Sequence, residues 1–164
     1  MVDEEDAIMV QEAPLRETVV TVFKKMGVNA ADCALAADVL VTADMRGVET
    51  HGVSNMLRGY VTGYGNGTLN PNPDWKIVRE TPATANIDSD AGLGIIVVPK
   101  AMEIAIEKAK NTGVGMVTIR NGRHMGMASY HAMMALEHDM IGVTMTSCPP
   151  GVLPTFGAEP RLGT

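Results

Sequence analysis

The feature that most constrains the fold is the order of the helix-like and strand-like apolar patterns along the chain. Helical spacing comes first, and short β-branched runs begin only after Pro73. The spacing predicts helices over 14–26, 30–45, 54–64, 95–110 and 127–138, and strands over 75–79, 83–87, 114–119 and 141–146. The strand–helix–strand run at 114–146 predicts parallel pairing. We therefore predict an α/β protein with an amino-terminal helical region (1–72), followed by a mixed sheet with crossover helices (73–164).

Charge and composition exclude several classes of partner. The net charge of −6 and the lack of a Lys/Arg cluster argue against nucleic acid. No apolar run is long enough to span a bilayer, so we expect no membrane partner. Residues 1–6 are acidic, the reverse of a signal peptide, and Cys33 and Cys148 form no paired motif. These features predict a reduced, cytoplasmic protein.

A glycine-flanked turn at 121–126 carries the first candidate for chemistry, His124. The turn follows the predicted strand 114–119 directly, and ligands of open α/β sheets collect at the carboxyl ends of strands. An imidazole there can exchange protons near neutral pH. A histidine that only caps or packs in a connecting loop is the alternative, and the residues alone leave both open.

The second candidate cluster is the run 44–52 (DMRGVETHG), which places the Thr50 hydroxyl beside His51. Arg58, seven residues after His51, would share its face on a continuous helix and could clamp a carboxylate with two hydrogen bonds. Tyr60 follows closely. The alternative is a turn between helices with a surface arginine and a buried tyrosine, which the residues alone slightly favour.

Other site classes find little support in the sequence. Histidines 124, 131 and 138 repeat every seven residues, which on one helix separates neighbours by roughly 10 Å, too far to share a metal ion. We therefore expect no metal site. The glycines at 92–94 and 113–115 complete no dinucleotide fingerprint, and no GxSxG motif is present.

Taken together, the ordered blocks of the chain resemble the malate/L-lactate dehydrogenase family, which also holds ureidoglycolate, sulfolactate and piperideine-2-carboxylate oxidoreductases. The resemblance runs from about Ala30 to the last residue. The blocks are 44–52 (DMRGVETHG), 67–71 (GTLNP), 80–83 (ETPA), 92–94 (GLG), 100–103 (KAME), 113–115 (GVG), 121–124 (NGRH) and 156–164 (FGAEPRLGT).

The resemblance implies an oxidoreductase that uses NAD or NADP to act on 2-hydroxy acids, with a cofactor fold that is not the Rossmann one. It makes His124 the acid/base and keeps Thr50 and His51 near substrate and cofactor. It makes Arg58 and Tyr60 candidate substrate contacts and puts Cys148 on the cofactor side. The partner is then a small 2-hydroxy or 2-oxo acid, and we expect a homo-oligomer, a dimer.

The chain also departs from the family pattern. Asn55 stands where many relatives have an arginine, and two prolines follow Cys148. Relatives continue well beyond Thr164, so we expect a fragment or truncated product, with weak or no activity alone, whose remaining part would supply most cofactor contacts. The alternative function is a non-catalytic fragment that acts in oligomer assembly.

Overall fold

The structure is a computed structural model that describes residues 9–163. The acidic residues 1–6 and Thr164, to which two of the expectations above refer, lie outside the described residues. Three helices come first: α1 (Glu12–Lys25), α2 (Ala30–Met45) and α3 (Val53–Gly65), with a 3₁₀ turn over Glu49–His51 between α2 and α3. The predicted helical layer is confirmed, with helix ends within two residues of those expected.

Local sequence explains where the helices begin and end. The Asn29 side chain accepts a hydrogen bond from the Asp32 backbone N–H at 3.0 Å, so it caps α2 as predicted. Gly113 ends the later helix α4 (Gly94–Thr112) with a φ of +82°, a left-handed conformation that favours glycine.

One apolar core joins the helical layer to the start of α4. Val19, Phe23 and Leu40 from α1 and α2 are buried together with Leu93 and Ile95. Full burial of one such side chain is worth about 1.5–3 kcal/mol. This shared core fixes the amino-terminal end of α4 against the helices that precede the sheet.

The sheet is mixed, as predicted, with strand order β1–β2–β3. Strands β1 (Lys76–Glu80) and β2 (Thr84–Asp88) are antiparallel, and β3 (Met116–Arg120) runs parallel to β2. Helix α4 makes the crossover between the two parallel strands. Ile87 of β2 packs on Val97 and Ala101 of α4, so this helix covers one face of the sheet.

Two predictions for the region after residue 127 are wrong. The helix expected over 127–138 is a short α5 (Ala128–Met133) followed by a 3₁₀ turn over Leu136–His138. The Ala135 and His138 N–H groups bond three residues back, which ends the α-helical pattern. The two parallel strands, β2 and β3, are connected through α4 and not, as predicted, through the helix expected over 127–138.

The expected strand over 141–146 does not form either, because no strand within residues 9–163 lies beside it to complete a hydrogen-bonded ladder. Its apolar side chains are exposed instead: Ile141 by 94%, Val143 by 67% and Met145 by 83%. None of the helices between residues 9 and 163 has the length and apolar character needed to cross a membrane.

Candidate active site

The turn that carries His124 lies where the carboxyl ends of the parallel strands β2 and β3 meet. Three backbone hydrogen bonds join the segments that leave these strands: Ser89 N–H to Arg120 C=O (3.0 Å), Ala91 N–H to Asn121 C=O (3.2 Å) and Arg123 N–H to Gly92 C=O (3.2 Å). This is the edge of an α/β sheet at which ligands bind. The sequence-based placement of His124 at a strand end is therefore confirmed.

Contacts from three directions hold the turn. A β-carbon added at Gly94, the first residue of α4, would lie 2.4 Å from the Arg123 carbonyl oxygen, so only a glycine permits this approach. The Arg123 side chain donates from Nε to the Thr68 carbonyl at 2.8 Å. On the other side, His131 Nε2 lies 2.7 Å from the Met125 carbonyl oxygen. The backbone around His124 is consequently packed and hydrogen-bonded on both sides.

The second part of the site is the 3₁₀ turn that ends at His51. Asp44, in the last turn of α2, accepts a hydrogen bond from the Val53 N–H at 2.8 Å. It thereby gives a partner to a backbone N–H at the start of α3 that has none within the helix. Gly52 is required beside it, because a β-carbon there would overlap the Asp44 carboxylate. Asn55 donates to the Glu49 carbonyl at 2.8 Å, which ties α3 back to the turn.

The fold brings His51, Tyr60 and His124 together from positions as much as 73 residues apart. The His51 and His124 rings are stacked, with centroids 5.4 Å apart and planes inclined by 17°. Tyr60, on α3, lies with its hydroxyl oxygen 2.8 Å from His124 Nδ1. The Thr50 hydroxyl is 2.9 Å from His51 Nδ1. Each imidazole therefore has a hydroxyl group at Nδ1.

The remaining nitrogens of the two rings are open. Within the described part of the chain, no hydrogen-bond partner faces Nε2 of His51 or of His124. Nε2 of each ring is thus left for a polar ligand.

Burial tunes the groups around His124. It lowers the pKa of His124, and the neighbouring His51 lowers it further by charge repulsion. Burial raises the pKa of the Tyr60 hydroxyl, which therefore keeps its proton. Both effects favour the neutral form of His124, the state in which an imidazole can accept a proton.

Two predicted site residues, Arg58 and Cys148, are exposed. Arg58 and His51 do not lie on one continuous helix, because Gly52 has an extended backbone and separates the 3₁₀ turn from α3, so the shared face expected for them does not form. Arg58 is exposed and lies two residues before Tyr60 on the helix, so the two point to opposite sides. Cys148 is exposed in the irregular segment after Met140, beside Gly163.

Sequence reasoning gave no supporting role to Asp44, Gly94, Gly126 or His131. Asp44 lies nine residues before the helix that it caps, so the local capping pattern does not reveal it. His131 is fully buried, whereas His138 is exposed, so the seven-residue repeat of histidines has no common environment. In residues 9–163, no three His, Cys, Asp or Glu side chains are arranged to hold a metal ion.

Known proteins resemble this chain over nearly its whole length. The family described as malate/L-lactate dehydrogenase matches residues 10–164. The chain is 48% identical over 149 residues to the L-sulfolactate dehydrogenase of Methanocaldococcus jannaschii, covering 91% of this chain and 43% of that protein. It is 47% identical over 161 residues to the malate dehydrogenase of Pyrococcus horikoshii, covering 98% and 44%.

Solved structures show the same likeness. The malate dehydrogenase structure from Pyrococcus horikoshii OT3 superposes with a TM-score of 0.92 at 47% identity, over 99% of this chain and 46% of that one. The piperideine-2-carboxylate reductase of Pseudomonas syringae, at 19% identity and a TM-score of 0.72, shares the fold. The chain spans less than half the length of these curated relatives. The resemblance inferred from the sequence blocks is confirmed: the chain belongs to the malate/L-lactate dehydrogenase family.

Proposed function

We propose that this chain carries the proton-transfer site of an oxidoreductase that moves a hydride between NAD or NADP and a small 2-hydroxy acid. The observation that carries the proposal is the placement of His124 at the carboxyl edge of the parallel strands, stacked on His51 and hydrogen-bonded to Tyr60. Relatives that act on malate and sulfolactate support the substrate class.

In this proposal, His124 accepts the hydroxyl proton of the substrate at Nε2 while a hydride leaves the carbon that bears the hydroxyl. The C–H and O–H bonds break, and a 2-oxo acid forms. In the reverse direction, the His124 imidazolium returns its proton to the developing alkoxide. When bound, the nicotinamide accepts or supplies the hydride. Nε2 can accept this proton when the ring proton of neutral His124 is on Nδ1.

We propose that His51 contacts the nicotinamide or the substrate. Its Nδ1 is taken by the Thr50 hydroxyl, so Nε2 is the atom left for a polar group. Malate and sulfolactate each carry a second anionic group, and Arg58 is the predicted partner for a substrate carboxylate. Its exposed position requires a substrate that reaches over the outer side of α3. Cys148 stays a predicted cofactor contact.

The residues of the proposed site come from both predicted regions. We propose that the helical region (1–72) contributes His51 and Tyr60 and that the α/β region (73–164) contributes His124, so the site needs both. A cytoplasmic location, the choice of NAD or NADP and the homodimer remain predictions.

The test is the formation of reduced nicotinamide, followed by absorbance, on addition of malate, sulfolactate, lactate or ureidoglycolate with either cofactor. We would assay this chain and a form extended to the length of its relatives. Turnover of at least one acid by the extended form is expected. A well-folded extended form that turns over no member of the panel contradicts the proposal.

A second candidate is the assembly role. The observation that favours it is the row of exposed apolar side chains at Ile141, Val143 and Met145, since apolar patches of this kind mark protein contacts. Analytical ultracentrifugation would test it. A monodisperse monomer at all concentrations contradicts this role, whereas a dimer abolished by Val143→Lys supports it.

A further inference from the structure

Two groups approach Nδ1 of His124, and their chemistry differs. The Gly126 backbone N–H lies 3.3 Å away and can only donate a hydrogen bond. The Tyr60 hydroxyl oxygen lies 2.8 Å away and can donate or accept. In the neutral ring both groups can donate to an Nδ1 lone pair. The geometry therefore favours the neutral tautomer whose proton is on Nε2.

Proton exchange at Nε2 requires the other arrangement. Nε2 can accept a substrate proton only when the ring proton is on Nδ1, and in the imidazolium both nitrogens carry hydrogen. In these states Nδ1–H needs an acceptor. Among the described residues, Tyr60 Oη is the atom in reach that can accept, since the Gly126 N–H cannot.

The surroundings of Tyr60 suit this task. Its side chain is only 5% exposed and belongs to the core that α3 shares with α1 and α2. The titratable groups that face the His124 ring are His51, from the 3₁₀ turn, and Tyr60, from α3. Arg123, from the same turn, is directed at the Thr68 carbonyl instead. The Tyr60 hydroxyl is thus committed to the ring.

We infer that Tyr60 is a positioning residue for His124 rather than a substrate contact. Its hydroxyl orients the ring through Nδ1: it donates to Nδ1 of the resting neutral ring and accepts from Nδ1–H once the ring proton is on Nδ1. Nε2 can take up a proton in that second tautomer, and in the imidazolium, where Tyr60 also accepts from Nδ1–H, Nε2 can give it back. The catalytic meaning of this inference rests on the proposed function. The hydrogen bond and the tautomer rest on geometry alone.

Replacing the hydroxyl should change the titration of His124. A hydrogen bond from a charged donor is stronger than a neutral one, so Tyr60 stabilises the imidazolium more than the neutral ring. Tyr60→Phe should therefore lower the pKa of His124 below its wild-type value. Tyr64→Phe is the matched control, because it removes a hydroxyl from the same helix at a ring that contacts Phe23 rather than His124.

The measurement is a ¹⁵N NMR titration of the histidine side chains in this chain, which has four histidines. At high pH, wild-type His124 should show the Nε2–H tautomer. Its pKa should fall in Tyr60→Phe and stay unchanged in Tyr64→Phe. An Nδ1–H resting tautomer in the wild-type protein overturns the inference, and so does an equal shift in both variants. If Tyr60→Phe fails to fold, the tautomer of His124 in the wild-type protein still decides whether the inference holds.

In a form of the protein that turns over substrate, kinetics distinguish a positioning role of Tyr60 from a substrate-binding role. Tyr60→Phe should lower kcat and move the acid limb of the pH profile, with KM nearly unchanged. A raised KM with normal kcat makes Tyr60 a substrate contact and overturns the inference. The NMR titration needs neither substrate nor cofactor. An inactive, well-folded extended form would contradict the proposed function, while the titration would still decide the role of Tyr60.

Discussion

His124 and His131 lie seven residues apart and use opposite ring nitrogens. His124, on the exposed turn after β3, is held at Nδ1 by Tyr60 and Gly126 and leaves Nε2 open. His131, on α5, is fully buried and uses Nε2 to bind the Met125 carbonyl, while no described residue pairs with its Nδ1. Burial lowers the pKa of both rings.

A hydrogen bond at one ring nitrogen decides what each of these histidines can do. His131 gives its N–H to the backbone one residue after His124, so it fixes the turn and has no nitrogen facing solvent. His124 receives support at the nitrogen away from the open surface and keeps the other for exchange. A pKa shift alone does not distinguish the two roles, because it has the same sign in both.

The largest expected effect is the loss of activity on replacing His124, the histidine whose Nε2 is open. His124→Ala should lower kcat of an active form by about 10²–10⁴-fold, the range for removal of a general acid or base. Its urea unfolding midpoint should stay near the wild-type value, because the ring is exposed on one side. Activity assays and denaturation would check this. Near-normal turnover would remove the distinction drawn between the two histidines.

The buried ring should give the opposite pattern, with the loss in stability. His131→Ala removes a fully buried side chain and leaves the Met125 carbonyl without its donor, which should lower the free energy of unfolding by about 2–5 kcal/mol. Denaturant unfolding would measure it. His138→Ala, at an exposed position on the following 3₁₀ turn, is the control and should stay within about 0.5 kcal/mol. Equal effects would show that burial of His131 matters little.

A smaller change should displace the His124 turn without touching either histidine. In Gly94→Ala, the new methyl meets the Arg123 and His124 carbonyl oxygens at 2.4 and 2.7 Å, so the turn or α4 must shift, at about 1–3 kcal/mol. We expect the His124 NMR signals to move and activity to fall. Gly59→Ala, on α3 with nothing near its added methyl, should instead gain up to about 1 kcal/mol. Unmoved His124 signals in Gly94→Ala would mean that the contact does not fix the ring.

Local patterns predicted much of the fold because their causes are local. Asn29 and Gly113 mark helix ends by capping and by a left-handed backbone, and both are visible in sequence. The segment 141–146 alternates like a strand, yet a strand also needs a partner, which alternation cannot supply. The same limit applies to 127–138, where hydrogen bonds three residues back replace the expected helix.

The site was predictable only in part, for a similar reason. The glycine-flanked turn identified His124, and the Thr50–His51 pair identified the second imidazole. The role of Tyr60 depends on a contact across 64 residues, and the seven-residue spacing from His51 to Arg58 misled because Gly52 breaks the helix. Gly94 acts through a close approach of backbones that leaves no trace in the spacing of residues.

The smallest expected effect is the pH dependence of stability, which measures the buried ring directly. The pKa of His131 lies below its ordinary value of 6.5 in the folded chain, mainly through burial, with the Met125 bond opposing the shift. The unfolded chain therefore binds more protons as pH falls below 6.5, and the free energy of unfolding should decline there and level off above it. Urea unfolding between pH 5.5 and 8 would measure the slope, above the range where carboxylates titrate. His131→Ala should flatten it more than His124→Ala does, because the half-open His124 ring loses less hydration on folding. A slope that persists in His131→Ala but vanishes in His124→Ala would reverse the assignment of the buried role.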